Sequence, residues 1–294
     1  MNNDDLVGTI LNGSIFEEHK SPEYERVVET MRGVDRKDFL GTEPVTLVGV
    51  HSLILQNMRG ALQRLKEPKI GFNFQMDDFF AGLIPNIDNS REVADLIESA
   101  GSVANSARPY FVEAEHLAYN DMPLPIGHQQ TCSQPSLVAF MAYQIELQDG
   151  LRVLEIGSGC GYHAAIVSHL IEDSGYLVTV EKIPQLAELA QGNLEAHFGK
   201  DDLEKRIKII PDEDGSIGAE EYAPFDRIYL TAGVDLKSFN PSVLGKQLNP
   251  KWGILLFPQQ EGYLIKQVYK DGIIESSEPV LSGIGFVPLV GENT

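Results

Sequence analysis

The chain has 294 residues, of which 43% are hydrophobic, and carries a formal net charge of −20. This length suits one large domain, or one domain with an insertion, and provides enough apolar residues for a core. The negative charge argues against binding to nucleic acid or anionic membranes, whose phosphates would repel the protein. Two cysteines imply no disulfide framework and predict a reducing compartment. Since neither a signal peptide nor an apolar run of roughly 18 residues is found, we expect a cytoplasmic protein that does not span a membrane.

The first third of the chain divides into a short N-terminal part and a candidate insertion. Residues 1–21 are polar and predict an irregular lead-in. A helix is predicted over Pro22–Arg32, because proline is favoured near a helix start, and it completes an N-terminal part of residues 1–40. Residues 41–107 predict an inserted, mainly helical subdomain, because two stretches show amphipathic helical spacing. We expect this insertion to act as a lid or docking surface.

The remaining two thirds, residues 108–294, predict the main domain. Residues 108–134 contain several prolines, which argues against regular structure, and a helix then runs from Pro135 to about Leu147. An Asp271-Gly272 turn between extended runs predicts a terminal antiparallel hairpin. Strands are expected near 152–156, 176–181, 206–210, 225–230 and 253–258, with helices near 162–171, 184–198 and 240–247. This alternation predicts an α/β fold with a doubly wound, mostly parallel sheet covered on both faces.

A glycine-rich turn joins the first of these strands to the first helix. It contains Gly157, Gly159 and Gly161, with Ser158 between the first two. Glycine accepts backbone angles that other residues resist and lets a ligand approach the main chain closely. The free N–H groups at the start of the following helix then face that ligand. The turn therefore predicts a cofactor site.

Two acidic residues indicate which cofactor the turn accepts. A dinucleotide fingerprint would place its last glycine at residue 162, which is Tyr162. The pattern here begins instead with Glu155 and resembles motif I of class I S-adenosylmethionine (SAM) methyltransferases, which have a Rossmann-like fold. Glu181 ends the next predicted strand, where a carboxylate would bind both ribose hydroxyls, and Lys182 follows as a further candidate. We therefore predict SAM as the cofactor.

A more specific resemblance begins at Leu117. The segment Leu117–Pro135 is similar to the signature of protein-L-isoaspartate O-methyltransferases, L-P-I-G-x-x-Q-T-I-S-x-P, with Cys132 in place of isoleucine. The glycine turn, Asp214–Gly218 and Phe286–Leu289 resemble further motifs of the same family, in the same order. These enzymes methylate the abnormal α-carboxylate of isoaspartyl residues. The sequence departs from the family pattern at Glu213, at a substituted turn over residues 249–253, and in the insertion.

The resemblance assigns roles to further residues. Thr131 and Ser133 are candidates for holding the substrate carboxylate, although Ser133 could instead cap the helix that Pro135 opens. Asp214 and Gly215 are expected near the adenine, with a turn-forming role for Asp214 as the competing interpretation. Glu155 is expected to support the amino-acid end of SAM, directly or through the turn, or else to cap the next helix. A carboxylate nucleophile has a pKa of about 4 and needs no strong general base.

Three functions remain open at this point. The leading hypothesis is a carboxyl methyltransferase acting on isoaspartyl proteins or peptides, which leads through a succinimide to repair. The second is a dedicated aspartate methyltransferase acting on one biosynthetic peptide. The third is a SAM-binding regulatory protein without turnover. No histidine pair has metal-binding spacing, so we predict no metal, and the sequence leaves the oligomeric state open.

Overall fold

The structure is a computed structural model that describes residues 2–13, 21–40, 117–212 and 217–289, together with the strand pairing of residues 45–46 and 111–112. The chain divides into two compact units, one formed by Met1–Pro44 with Glu113–Thr294 and the other by Val45–Val112. In the second unit, strands β1 (Val45–Thr46) and β2 (Phe111–Val112) pair antiparallel. The helices predicted within the insertion lie outside the described residues.

The first unit is built on a seven-stranded sheet with the order β11-β10-β9-β8-β5-β6-β7. Strands β5 to β9 run parallel, and β10 and β11 are added antiparallel at one edge. The strands are β5 (Arg152–Ile156), β6 (Tyr176–Glu181), β7 (Ile207–Pro211), β8 (Arg227–Leu230), β9 (Trp252–Pro258), β10 (Tyr263–Lys270) and β11 (Ile273–Ser282). The predicted parallel sheet and terminal hairpin are confirmed.

Helices cover this sheet on both faces. They are α1 (Asn3–Asn12), α2 (Pro22–Thr30), α3 (Pro135–Gln144), α4 (Tyr162–Leu170), α5 (Pro184–Phe198), α6 (Lys200–Arg206) and α7 (Ser242–Gly245). Alternate residues of β5 enter different cores, since Val153 packs in one apolar cluster and Leu154 in another. Successive side chains of a strand point to opposite faces, so both faces of the sheet are buried.

The prediction of an irregular lead-in over residues 1–21 is wrong, because helix α1 occupies Asn3–Asn12. A capping box starts the helix, with the Asn2 side chain and the Asp5 side chain each accepting the other's backbone N–H. Leu6 and Val7 are fully buried. Asn3 also donates to the carbonyl of Met31, at 2.8 Å, and thereby ties α1 to the end of α2.

The prediction that residues 108–134 lack regular structure is also wrong in part. A short antiparallel hairpin is formed by β3 (Leu124–Gly127) and β4 (Gln130–Cys132). Prolines are tolerated because this is a two-stranded sheet whose strands are both edges.

Helix α6, which was not predicted, continues from α5 at Gly199. No helix of the described residues is long and apolar enough to cross a membrane.

Candidate cofactor and substrate site

The glycine turn leaves the carboxyl end of β5, at the centre of the parallel sheet. Gly157, Gly159 and Gly161 have φ values of 99°, 55° and 86°, in the region that favours glycine. The turn is closed by a bond of 2.8 Å from the Gly161 N–H to the Ser158 carbonyl. Helix α4 starts directly afterwards at Tyr162, with Gly161 as its N-cap. The predicted strand, turn and helix are therefore present.

Two of these glycines are also required by close packing. Thr231, which follows the neighbouring strand β8, donates its hydroxyl to the Gly157 carbonyl at 2.7 Å. A side chain at Gly157 would collide with that hydroxyl. At Gly161, an added Cβ would lie 3.0 Å from Leu194 of helix α5. The turn is therefore tightly packed between β8 and α5, and a side chain is disfavoured at both places.

Glu181 connects the turn to the end of the next strand, β6. Its carboxylate accepts the Gly159 N–H at 2.9 Å and the Ile183 N–H at 3.0 Å. The residue is only 6% exposed, yet it lines a pocket together with the half-buried Lys182. An ionised carboxylate offers about four acceptor positions. Two therefore remain for hydroxyl groups of a ligand.

Glu155 lies beneath the turn, within the sheet, and is fully buried. Its carboxyl oxygens accept the Thr179 hydroxyl at 2.5 Å and the Tyr229 hydroxyl at 2.8 Å, and Thr179 bonds in turn to the Ser158 hydroxyl at 2.7 Å. Burial raises the pKa of Glu155 to about 8; the two hydroxyls oppose the rise and the Glu181 carboxylate adds to it. Glu155 thus connects to the turn through Thr179 and Ser158 and is not among the pocket-lining residues.

The pocket brings together five of the predicted site residues. The hairpin contributes Thr131, the turn contributes Gly157 and Gly159, and the end of β6 contributes Glu181 and Lys182. The sequence assigned no individual role to the other lining residues, which are Gln130, Ile156, Val180, Ile183, Leu186, Asp212, Ile217, Thr231, Ala232, Val287, Pro288 and Leu289. The segment 286–289 did carry a signal, because it resembles a family motif. Thr231 and Gln130 are brought into the pocket by the sheet order and by the hairpin.

Four predicted residues do not line this pocket, and two cannot be located. Glu155 and Ser158 belong to the buried network, Gly161 caps helix α4, and Ser133 lies just beyond β4. Asp214 and Gly215 lie outside the described residues. Their neighbours Asp212 and Ile217 do line the pocket.

The structure contradicts the interpretation of Ser133 as a helix cap. The N-cap of α3 is Gln134, and its side chain makes no capping bond. Asp121 caps the helix instead, because its carboxylate accepts the Ser136 N–H at 2.8 Å. The same carboxylate accepts a bond of 3.1 Å from the Gln134 amide. Ser133 is therefore not occupied in capping.

The hairpin lies close to the glycine turn. An added Cβ on Gly159 would meet the Ile126 side chain at 3.4 Å, an ordinary contact distance. The pocket therefore has a cofactor-type wall, formed by the turn and Glu181, and a second wall that carries Thr131 and Gln130. In the parts of the chain that the structure describes, no three potential metal-ligating side chains are grouped together, so the absence of a metal stays a prediction.

Comparison with known proteins identifies the family. A family model described as protein-L-isoaspartate(D-aspartate) O-methyltransferase matches residues 83–294. The chain belongs to this family. A protein-L-isoaspartate O-methyltransferase of Hyperthermus butylicus is 44% identical over 193 residues, covering 61% of this chain and 75% of the relative. One from Methanococcus maripaludis is 38% identical over 218 residues, covering 72% of this chain and 97% of the relative.

Solved structures agree with the fold of this family. A protein-L-isoaspartate O-methyltransferase structure aligns with a TM-score of 0.60 at 19% identity, covering 99% of this chain and 66% of the other. A Plasmodium falciparum structure in complex with S-adenosyl-L-homocysteine aligns with a TM-score of 0.58 at 18% identity, covering 98% of both chains. The predicted resemblance to the SAM-dependent isoaspartate methyltransferases is therefore confirmed.

Proposed function

We propose that this protein transfers the methyl group of SAM to the α-carboxylate of L-isoaspartyl residues in proteins or peptides. The observation that carries the proposal is a single pocket bordered by Glu181 with the glycine turn and by Thr131 on the hairpin. Because the chain belongs to the isoaspartate methyltransferase family, we assign the first wall to the cofactor and the second to the substrate.

The residues of the first wall fit SAM. The two acceptor positions left on Glu181 suit the two ribose hydroxyls. Ile183, Leu186 and Ile217 offer apolar surface to the adenine ring. The main chain at Gly157 and Gly159 is open to close approach by the amino-acid end. Glu155 supports this arrangement indirectly, through its hydrogen bonds to Thr179 and from there to Ser158.

SAM, when bound, supplies an electrophilic methyl group. The substrate carboxylate has a pKa of about 4, so it is already ionised and ready to attack at neutral pH. Thr131, which lines the pocket, would orient it by donating a hydrogen bond. Ser133, just beyond the end of β4, is the second candidate donor and does not line the pocket. Alignment and desolvation then provide most of the rate. This chemistry needs no general base.

The product chemistry explains why such transfer repairs proteins. Methylation converts the carboxylate into an ester, and the following backbone nitrogen displaces methanol to form a succinimide. Hydrolysis of that ring returns part of the material to normal aspartate. A reducing compartment remains the prediction of the cysteine content, and a cytoplasmic location remains a prediction from the sequence.

The function is tested by following transfer of labelled methyl groups from SAM to matched peptides. One peptide contains isoaspartate and the other contains normal aspartate at the same place. We expect ester formation on the isoaspartyl peptide alone. Transfer only to the aspartyl peptide would support a dedicated aspartate methyltransferase, and SAM binding without transfer to either would support a regulatory protein. Either result overturns the proposal.

A pair of variants tests the assigned cofactor wall in the same experiment. Glu181→Gln replaces an oxygen acceptor by an amide donor, so SAM affinity should fall roughly tenfold to a hundredfold, in line with charge-assisted bonds of about 1.5–3 kcal/mol. Glu188→Gln is the matched control, because Glu188 is exposed on helix α5. Calorimetry that shows equal affinities for the two variants would remove Glu181 from the cofactor site.

A further inference from the structure

Arg36 is a fully buried arginine outside the pocket. It opens the short 3₁₀ helix Arg36–Phe39 in the N-terminal part of the chain. Its guanidinium donates to five backbone carbonyls, at 3.2 Å to Ala118, 3.0 Å to Asn120, 2.7 Å to Met122, 3.4 Å to Cys132 and 3.1 Å to Ser133. One side chain therefore serves as the common donor for two separate stretches of main chain.

These two stretches are the two ends of the β3–β4 hairpin. Residues 118–122 lead into β3, and residues 132–133 end β4 and leave it. A buried carbonyl that loses its hydrogen-bond donor destabilises the folded state. The guanidinium therefore stabilises the arrangement in which residues 118–122 and residues 132–133 lie side by side. The planar fork of arginine holds its donors in a fixed arrangement, which the single ammonium group of lysine does not reproduce.

Other bonds fix the same region from its flanks. The Tyr119 hydroxyl donates to Asp35, the neighbour of Arg36, at 3.2 Å. Asp121 accepts one backbone N–H of helix α3, that of Ser136, and the side-chain amide of Gln134. The far end of the hairpin is free of these anchors and carries Gln130 and Thr131 into the pocket. The position of the substrate wall is therefore set at the base of the hairpin.

We propose that Arg36 is a positioning residue for methyl transfer, which holds the hairpin so that Thr131 and Gln130 face the glycine turn. This inference rests on the proposed function, since it assigns the hairpin to substrate binding. Arg36 itself contacts neither wall of the pocket. Its effect is transmitted through the main chain of residues 118–133.

The test compares Arg36→Lys with Arg26→Lys, a change at an exposed arginine that also donates to main-chain carbonyls. Arg26 of helix α2 also donates to buried main chain, at 3.1 Å to the Leu147 carbonyl and 2.7 Å to the Leu170 carbonyl, away from the hairpin. Arg36→Lys should raise the KM for an isoaspartyl peptide about tenfold, the effect of one lost charge-assisted bond, with affinity for S-adenosylhomocysteine unchanged. Arg26→Lys should lower the melting temperature without changing KM.

Equal changes of KM in the two variants would show that Arg36 is only a stabilising residue, and would overturn the proposal. If Arg36→Lys does not fold, Tyr119→Phe takes its place, because it removes one bond from the same anchor. Its expected effect is a KM increase of roughly fivefold, from a bond of about 1 kcal/mol. An unchanged KM in that variant overturns the proposal as well.

Hydrogen exchange separates this inference from the proposed function. With S-adenosylhomocysteine added, Arg36→Lys should exchange faster than wild type in peptides covering 117–134, and at the wild-type rate in peptides covering 176–183. Failure of the wild-type protein to methylate isoaspartyl peptides would overturn the proposed function, while exchange would still report on the hairpin. Unchanged exchange over 117–134 overturns the role of Arg36, whatever the substrate is.

Discussion

The buried Glu155 network predicts how the stability of this protein depends on pH. Glu155 is enclosed between the hydroxyls of Thr179 and Tyr229, inside the sheet. Replacing it by glutamine keeps the size and one acceptor oxygen but removes the titrating proton. Both hydroxyls can rotate, so one of them can accept from the new amide. Glu155→Gln should therefore fold and lose only the pH dependence that belongs to this carboxyl group.

The direction of this pH dependence follows from the number of protons that the folded and unfolded states bind. The folded pKa of Glu155 is raised from its ordinary value of 4.5 to about 8, mainly because burial disfavours the charged form. Between these two values the folded state keeps a proton that the unfolded chain releases. Stability therefore falls as pH rises through this window. Between pH 6 and 8, this one group should cost the wild-type protein about 2 kcal/mol of unfolding free energy, somewhat less than the limiting 1.36 kcal/mol per pH unit because Glu155 begins to ionise in the folded state near pH 8.

The assay is urea unfolding of wild type and Glu155→Gln at pH 6, 7 and 8. Subtracting the two unfolding free energies at each pH cancels the contribution of the histidines and of other shared groups. The unfolding free energy of the variant minus that of wild type should increase as pH rises. Glu188→Gln, at an exposed position, should show no such shift. A difference that stays constant from pH 6 to 8 would refute the reasoning and show that Glu155 is ionised in the folded protein.

Two further predictions concern the turn and the insertion. Gly161→Ala should destabilise the protein by about 1–3 kcal/mol in thermal unfolding, because of its positive φ and the contact with Leu194. Gly192→Ala is the control: it lies in helix α5, an added Cβ would have no neighbouring atom within 4 Å, and the protein should become more stable by about 0.5–1 kcal/mol. We also propose that residues 47–110 act as a specificity element. Since the strands flanking them pair directly, a short Gly/Asn turn should replace them with SAM binding intact and peptide preference changed; unchanged kcat/KM for all peptides would contradict this role.

The sheet and the cofactor turn were predictable because their signals are local. The predicted bounds of β5 and β6 coincide with those in the structure, since both strands are short apolar runs that end at a turn. The three glycines follow β5 directly, and their positive φ values are the reason for that residue type. Glu181 was recognised because it ends the neighbouring parallel strand. Parallel strands bring their carboxyl ends to one edge of the sheet.

The remaining parts depend on contacts that are distant in sequence. Helix α1 is stabilised by burial and by the bond from Asn3 to Met31, neither of which leaves a strong mark in a short polar stretch. The carbonyls that accept from Arg36 are 82 to 97 residues away. Thr231 reaches the turn only because β8 crosses back to pair with β5. The periodicity of the sequence does not show which distant segments come into contact in the fold.

Glu181 and Glu155 have different roles because they lie at different distances from the ends of their strands. Glu181 is the last residue of β6, so its carboxylate reaches beyond the sheet to the turn. Glu155 lies one residue before the end of β5, directly between Thr179 and Tyr229 on the neighbouring strands. With a pKa of about 8 it is largely neutral at pH 7. A neutral Glu155 adds no negative charge beneath a site that must admit a substrate carboxylate, which favours the proposed reaction.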